Sequence, residues 1–228
     1  MKERIYSIPL TDALKENCGC ILCTLEKNLE TNAIQYFLGP SLMEPDGREL
    51  TNKEGFCRRH MKMFLEGNHR LGLALMLETH IPDVIKNFKL KKKGIFGGYN
   101  MKETAEKIYA AEKSCAVCNK ISSQLSDAAE NLVYLWKQEE DFKKGFEDSF
   151  GLCLEHMALV LSVCEKELGI KKAAEFAKML VKLQKRRFSE IQEDVHEFTL
   201  SFDYRNTQKP SEKVASSVNT AAQMLTKF

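Results

Sequence analysis

Eight side chains in this sequence are of the types that hold metal ions, and they recur in one order. Two residues separate Cys20 from Cys23, and two separate Cys115 from Cys118. Downstream of each pair stands a Gly-x-Cys-x-x-His-Met stretch. The first is Gly55-Phe56-Cys57-Arg58-Arg59-His60-Met61, and the second is Gly151-Leu152-Cys153-Leu154-Glu155-His156-Met157. Cysteine thiolate and histidine nitrogen are the ligands zinc favours, four at a time and tetrahedrally. A three-residue step lets one turn of chain aim two donors at one point. Three cysteines and one histidine make a closed structural set. The sequence therefore predicts two zinc ions, with Cys20, Cys23, Cys57 and His60 around one and Cys115, Cys118, Cys153 and His156 around the other. An iron–sulfur cluster is the rival, because thiolates hold clusters too; a histidine in both sets favours zinc. No Cys-x-x-Cys-His is present, so covalent haem attachment is not indicated.

The spacing between the motifs makes them one duplicated unit. The gap from the second to the third cysteine is 33 residues in the first copy and 34 in the second. The copies are offset by 95 residues at the first pair and 96 at the last, which is the signature of an internal repeat. A helical hairpin filling each gap would go out and come back, closing its own site.

The elements that must position these donors read as helices. After Cys23, apolar residues fall at Leu25, Leu29, Ala33 and Tyr36–Phe37, and Gly39-Pro40 ends the run. A loop through Pro45-Asp46-Gly47 leads back to Cys57. After Cys118 the stripe is Ile121, Leu125, Ala128, Leu132, Leu135 and Trp136, with a return past Phe142, Phe146 and Phe150. A long uninterrupted helix is expected from Ile170, over a stretch free of Gly and Pro as far as Lys209, with a shorter counterpart from about Leu71 to Phe88 that Pro82 should kink or restart. No strong strand pattern appears. The expected class is all-α: two tandem helical-hairpin units, each closed by a Cys/His site, plus long C-terminal helices. The expected division is a first metal-binding repeat over 1–93, an exposed Gly/Lys-rich linker over 94–100, a second repeat over 101–209 and a C-terminal helix over 210–228.

Bulk composition narrows the function classes. The chain has 228 residues, 43% hydrophobic and 29% charged, which suits a soluble globular protein with a sizeable core. A formal net charge of +2 gives no electrostatic reason to expect nucleic acid or an acidic membrane. Met1–Leu10 lacks a secretory signal's apolar run, and Leu71–Leu77 and Met157–Cys164 are far too short to span a bilayer. The expected location is cytoplasmic, where disulfides are rare, so eight cysteines point to metal or redox chemistry.

Other reactive-looking residues weigh less. Cys18 has no counterpart in the second copy, where Lys113 stands; it reads as an incidental thiol, with a spare ligand or reactive group as the alternative. Cys164 lies on an apolar stripe with Leu161 and Leu168. His69, His80 and His196 read as surface or satisfied core histidines, His80 being notable for its place just before Pro82. The runs Lys89–Lys93 and Lys185-Arg186-Arg187 suit phosphate but more often face solvent. Neither a nucleotide-binding glycine loop nor a nucleophile elbow is present.

Thr11-Asp12-Ala13-Leu14, Cys20-x-x-Cys23 and Gly55-Phe56-Cys57-Arg58-Arg59-His60, followed by Cys115-x-x-Cys118, Gly151-x-Cys153-x-x-His156 and Phe202-Asp203-Tyr204-Arg205, resemble an uncharacterised prokaryotic family, domain of unknown function six-zero-six-two. The resemblance runs to about Arg205. Ile21 and Ala116 stand where the family usually has proline after the first cysteine of a pair. The family implies helices and metal-type cysteines and carries no activity to transfer.

The expected function is a zinc-stabilised helical binding or scaffold protein, leaning away from an enzyme, whose protein or small-molecule partner would sit in a helical groove. The alternative is a redox- or metal-responsive sensor or enzyme that uses cysteine thiolates, with Cys18, His80, Tyr204 and Arg205 as polar groups beside it. Nucleic-acid binding ranks third and a membrane partner is not expected.

Overall fold

The computed structural model describes residues 6–16, 19–67, 69–93, 97–203 and 209–226. Cys18, Tyr204 and Arg205 lie outside the described residues. Within them the chain is α-helical, as expected, with one isolated antiparallel bridge between Lys92 and Tyr99.

The chain divides into two compact units, and the cut does not follow the repeats. Unit 1 comprises Met1–Lys27 and Gln124–Phe228, and unit 2 comprises Asn28–Ser123. The boundaries between the units lie inside two continuous helices, α2 (Ile21–Leu38) and α7 (Ala116–Gln138).

Unit 1 holds α1 (Ser7–Glu16), the start of α2, the end of α7, α8 (Glu140–Asp148), α9 (Leu154–Leu168), α10 (Ile170–Leu200) and α11 (Glu212–Leu225). Its core grows from the stripe foreseen on α7: Leu125, Ala128, Leu132, Leu135 and Trp136 are all buried. Trp136 meets Phe176 of α10 edge-on at 5.0 Å, and Phe146 of α8 stacks on Phe176 at 6.4 Å. Fully burying a side chain of this size stabilises by roughly 1.5–3 kcal/mol. The 31-residue α10 is the long helix expected from Ile170, and it ends at Leu200.

Unit 2 holds the rest of α2, a 3-10 turn at Pro40–Met43, α3 (Pro45–Glu54), α4 (Arg58–Glu66), α5 (Arg70–Lys86), α6 (Met101–Lys113) and the start of α7. Phe37, Phe56 and Phe64 form its aromatic core, with successive edge-on contacts at 6.0 and 4.7 Å. One expectation fails here. The loop at Pro45-Asp46-Gly47 is the first turn of α3, because proline at the start of a helix gives up an N–H that has no partner there anyway. The helix expected from about Leu71 to Phe88 is α5, which runs through Pro82 to Lys86. The turns just before it are tied to α3: Arg48 donates to the Leu75 carbonyl at 3.0 Å, and the His80 Nδ1–H donates to the Asn52 carbonyl at 2.8 Å.

Candidate metal centres

Each Gly-x-Cys-x-x-His stretch is a turn that delivers two donors to the start of a helix. Gly55 and Gly151 have φ of 61° and 79°, in the left-handed region that side chains avoid. Both also lie under a side chain from a later helix. A Cβ on Gly55 would fall 2.8 Å from His80 Cε1, and one on Gly151 would fall 2.6 Å from Gln184 Oε1. The next residue is an apolar anchor: Phe56 in the unit 2 aromatic core, and Leu152, fully buried, in unit 1. Then comes the cysteine as N-cap, at φ −68° and ψ 164° for Cys57 and −67° and 164° for Cys153. Its histidine follows in the first turn of α4 or α9.

Each Cys-x-x-Cys pair also sits at a helix start. The Cys20 carbonyl accepts from Cys23 N–H at 3.0 Å and Thr24 N–H at 3.2 Å as α2 begins, and the Cys115 carbonyl accepts from Asn119 N–H at 3.0 Å as α7 begins. Four helix N-termini therefore supply all eight donors. That end of a helix carries positive partial charge and exposes amide donors, so it favours thiolate over thiol.

The structure brings all eight predicted residues into two clusters, and it partners them differently from the expected sets. One cluster is Cys20, Cys23, Cys153 and His156; the other is Cys57, His60, Cys115 and Cys118. Each takes its cysteine pair from one repeat and its Cys-x-x-His from the other, and each lies wholly inside one unit. The cysteine pair of a repeat does not meet the Cys-x-x-His of that same repeat. α2 runs 18 residues without turning back, and α7 runs 23, so each helix carries the chain away from its own cysteine pair. A Cys-x-x-Cys ending one helix start can meet only the Cys-x-x-His that shares its unit.

Within a cluster the donor atoms lie within 4.8 Å of one another. In unit 1, His156 Nδ1 is 3.4 Å from Cys20 Sγ, 3.3 Å from Cys23 Sγ and 3.3 Å from Cys153 Sγ, while the sulfurs of Cys23 and Cys153 are 3.6 Å apart. In unit 2, His60 Nδ1 is 3.3 Å from Cys57 Sγ, 3.3 Å from Cys115 Sγ and 3.4 Å from Cys118 Sγ, and Cys57 and Cys118 are 3.8 Å apart at sulfur. All seven described cysteines are free thiols, including Cys164, which is buried and turned to the Leu161 carbonyl as its apolar stripe implies. Either cluster could hold one metal ion.

In each cluster the thiols and the histidine shift one another's protonation. Burial opposes a charge on His60, but the neighbouring Cys115 thiolate and Glu30 carboxylate outweigh it and raise its pKa to about 9. Burial also pushes the Cys115 thiol up, yet His60 and backbone amides bring it down to about 6. Cys118 goes the other way, to about 12, through burial and the Cys115 charge. In unit 1, burial again opposes a charge on His156, and Cys153 and Cys20 raise it to about 10. The Cys20 and Cys23 thiols hold Cys153 far below the ordinary thiol range, and Cys23 is raised in return. Each cluster so holds a thiolate against an imidazolium. A metal ion displaces such protons when it binds.

The chain matches the model of the DUF6062 family, described as a family of unknown function, over residues 1–228. It belongs to that family. No curated protein and no solved structure matches the chain. For this DUF6062 chain, then, the two clusters are the feature that carries chemistry.

The remaining candidates are placed by the structure in supporting roles. His80 and Gln184 hold the two glycine turns. Gln184 is buried, accepts from Leu152 N–H at 3.1 Å and donates to the Leu152 carbonyl. No sequence signal marked Gln184, although its position on the inward stripe of α10 was readable. His69 and His196 are exposed. The basic runs have local partners: Arg187 donates to the Ser149 and Asp148 carbonyls at 2.8 and 2.6 Å, Arg186 to the Glu147 carbonyl at 2.8 Å, and Lys91 pairs with Glu103 at 2.8 Å. Arg186 and Arg187 thereby cap the end of α8, just before the Gly151 turn. No helix among the described residues is long and apolar enough to cross a membrane.

Proposed function

We propose that this protein is a zinc-stabilised helical binding or scaffold protein, each unit closed by one structural zinc ion on three cysteines and one histidine. The donor spacing carries the reading. Zinc bonds of about 2.3 Å to sulfur and 2.0–2.1 Å to nitrogen, at tetrahedral angles, put neighbouring sulfurs about 3.8 Å apart and sulfur about 3.5 Å from nitrogen. One sulfur pair in each cluster is 3.6 or 3.8 Å apart, the sulfurs lie 3.3–3.4 Å from the histidine Nδ1, and all donors fall within 4.8 Å. An iron–sulfur cluster spreads its thiolates over several irons, so its ligand sulfurs lie further apart. Four protein donors complete the tetrahedron and leave no place for a substrate, which favours structure over catalysis. The partner would be a protein or small molecule. A shallow cleft of about 520 Å³ along α10, lined by Ala177, Lys178, Val181, Lys182 and Lys185, offers one place for it.

Elemental analysis of protein purified without added metal or chelator tests this directly. Two zinc ions per chain are expected; iron with a visible absorption band, or well under one ion of any metal, would overturn the reading.

A second reading, a redox-responsive metal site, is favoured by the exposure of Cys118. A peroxide would take two electrons from the Cys57 and Cys118 thiolates, forming their disulfide and two hydroxide ions. A sulfur in a disulfide is a poorer ligand, and the ion would leave. Peroxide-induced zinc release that a thiol reductant reverses would support it, and zinc content unchanged under peroxide would dismiss it.

A further inference from the structure

A metal-bound imidazole is oriented by what its second nitrogen touches. His60 turns Nδ1 to three sulfurs and Nε2 to the Glu30 carboxylate, which can only accept, so Nε2 carries a proton. That N–H donates to Glu30 Oε1 at 2.9 Å. Glu30 is itself fixed: its other oxygen accepts from Arg59 at 2.8 Å, and its side chain is only 13% exposed. Arg59 lies inside the Cys57–His60 motif, so the motif that supplies two ligands also pins the carboxylate behind one of them.

The second cluster lacks this arrangement. His156 Nε2 is buried and has no hydrogen-bond partner among the described residues. Glu26 Oε2 comes to 3.6 Å, outside hydrogen-bond reach. The residue matching Arg59 is Glu155, of opposite charge. Glu26 and Glu30 are one helical turn apart on α2, and the division between the units falls between them.

We propose that Glu30 is a positioning residue for the unit 2 metal: by accepting the His60 Nε2–H it holds the imidazole in the ligating tautomer and strengthens its bond to the ion, a support the unit 1 metal does without. The proposal rests on the reading that both clusters hold zinc. Removing such an outer partner typically weakens metal binding about 10- to 100-fold.

The test uses the full chain loaded with zinc alone and competed against a chromophoric chelator, comparing wild type with Glu30→Ala, Glu30→Gln and Glu26→Ala. Repeating the series on Cys23→Ser/Cys153→Ser protein, in which only unit 2 keeps all four donors, assigns the affected ion. Glu30→Ala is expected to weaken one of the two ions about 10- to 100-fold. Glu30→Gln, which keeps an acceptor oxygen, should recover part of that loss, and Glu26→Ala should leave both ions within about threefold of wild type, because Glu26 stands 3.6 Å from His156 Nε2, beyond hydrogen-bond reach. Independently of any variant folding, nitrogen-15 NMR of the zinc-loaded wild type should show His60 protonated on Nε2. Two ions held, with Glu30→Ala indistinguishable from wild type or with His60 protonated on Nδ1, would overturn this inference alone. A wild-type chain that takes up no zinc would overturn it together with the reading beneath it.

Discussion

The two metal clusters are the same local machine set in different surroundings. Both use a glycine at positive φ, an apolar anchor, a cysteine N-cap and a histidine one turn on, and the N-cap angles agree within 1° in φ. What holds the glycine turn differs: half-buried His80 through one backbone carbonyl in unit 2, buried Gln184 through both polar groups of Leu152 in unit 1. The unit 1 cluster keeps Cys20, Cys153 and His156 buried, whereas unit 2 exposes Cys118. A short motif fixes the angle at which ligands enter a site. Burial and second neighbours belong to the surrounding helices and diverge freely after a duplication.

The largest expected effect tests the partnering itself. Cys23→Ser with Cys153→Ser removes two donors from one cluster and should leave one zinc per chain by elemental analysis. Cys23→Ser with Cys57→Ser removes one donor from each and should leave less than one. Pairing within each repeat predicts the opposite pattern. Next come the cores. Phe176→Ala in unit 1 and Phe64→Ala in unit 2 each empty a fully buried site and should destabilise by about 3–5 kcal/mol in denaturant unfolding. A loss under about 1 kcal/mol at either would remove that unit's aromatic cluster from its core. The glycine turns follow. Gly151→Ala and Gly55→Ala should each cost about 1–3 kcal/mol for backbone strain, with Gly151 the larger because Gln184 is tied to Leu152 on both sides. Equal stability of both variants with wild type would mean that the turns relax. The smallest effect is one of rate: with zinc bound, a thiol alkylating agent followed by peptide mass spectrometry should modify exposed Cys118 before buried Cys20, Cys115 or Cys153.

The sequence made the helices, the eight donors and the duplication legible because each is a local pattern. Apolar periodicity marked α2, α7 and α10, and cysteine spacing marked the ligands. The partnering was not legible. Four two-donor motifs can be joined into two sets in more than one way, and adjacency along the chain favours the wrong one. The structure decides it: each cysteine pair meets the Cys-x-x-His of the other repeat, beyond an α2 of 18 residues and an α7 of 23. Glu30 was equally hidden, since a carboxylate seven residues beyond Cys23 looks like any exposed helix charge until His60 is placed against it. Pro45 was misread because a proline that loses little at a first turn reads in sequence as a breaker.

The crossed partnering also sets a timetable. His156 lies 136 residues after Cys20, whereas the unit 2 donors at Cys57 and Cys118 are 61 apart and fall between them. A ribosome adds about 5–20 residues per second, so the Cys20–Cys23 pair waits roughly 7–27 s for its histidine. The unit 2 donors are complete 38 residues earlier, roughly 2–8 s sooner. The inner set of four is therefore whole while the outer pair is still a bare dithiol on a growing chain, and the first of the eight donors to be made belong to the last cluster finished.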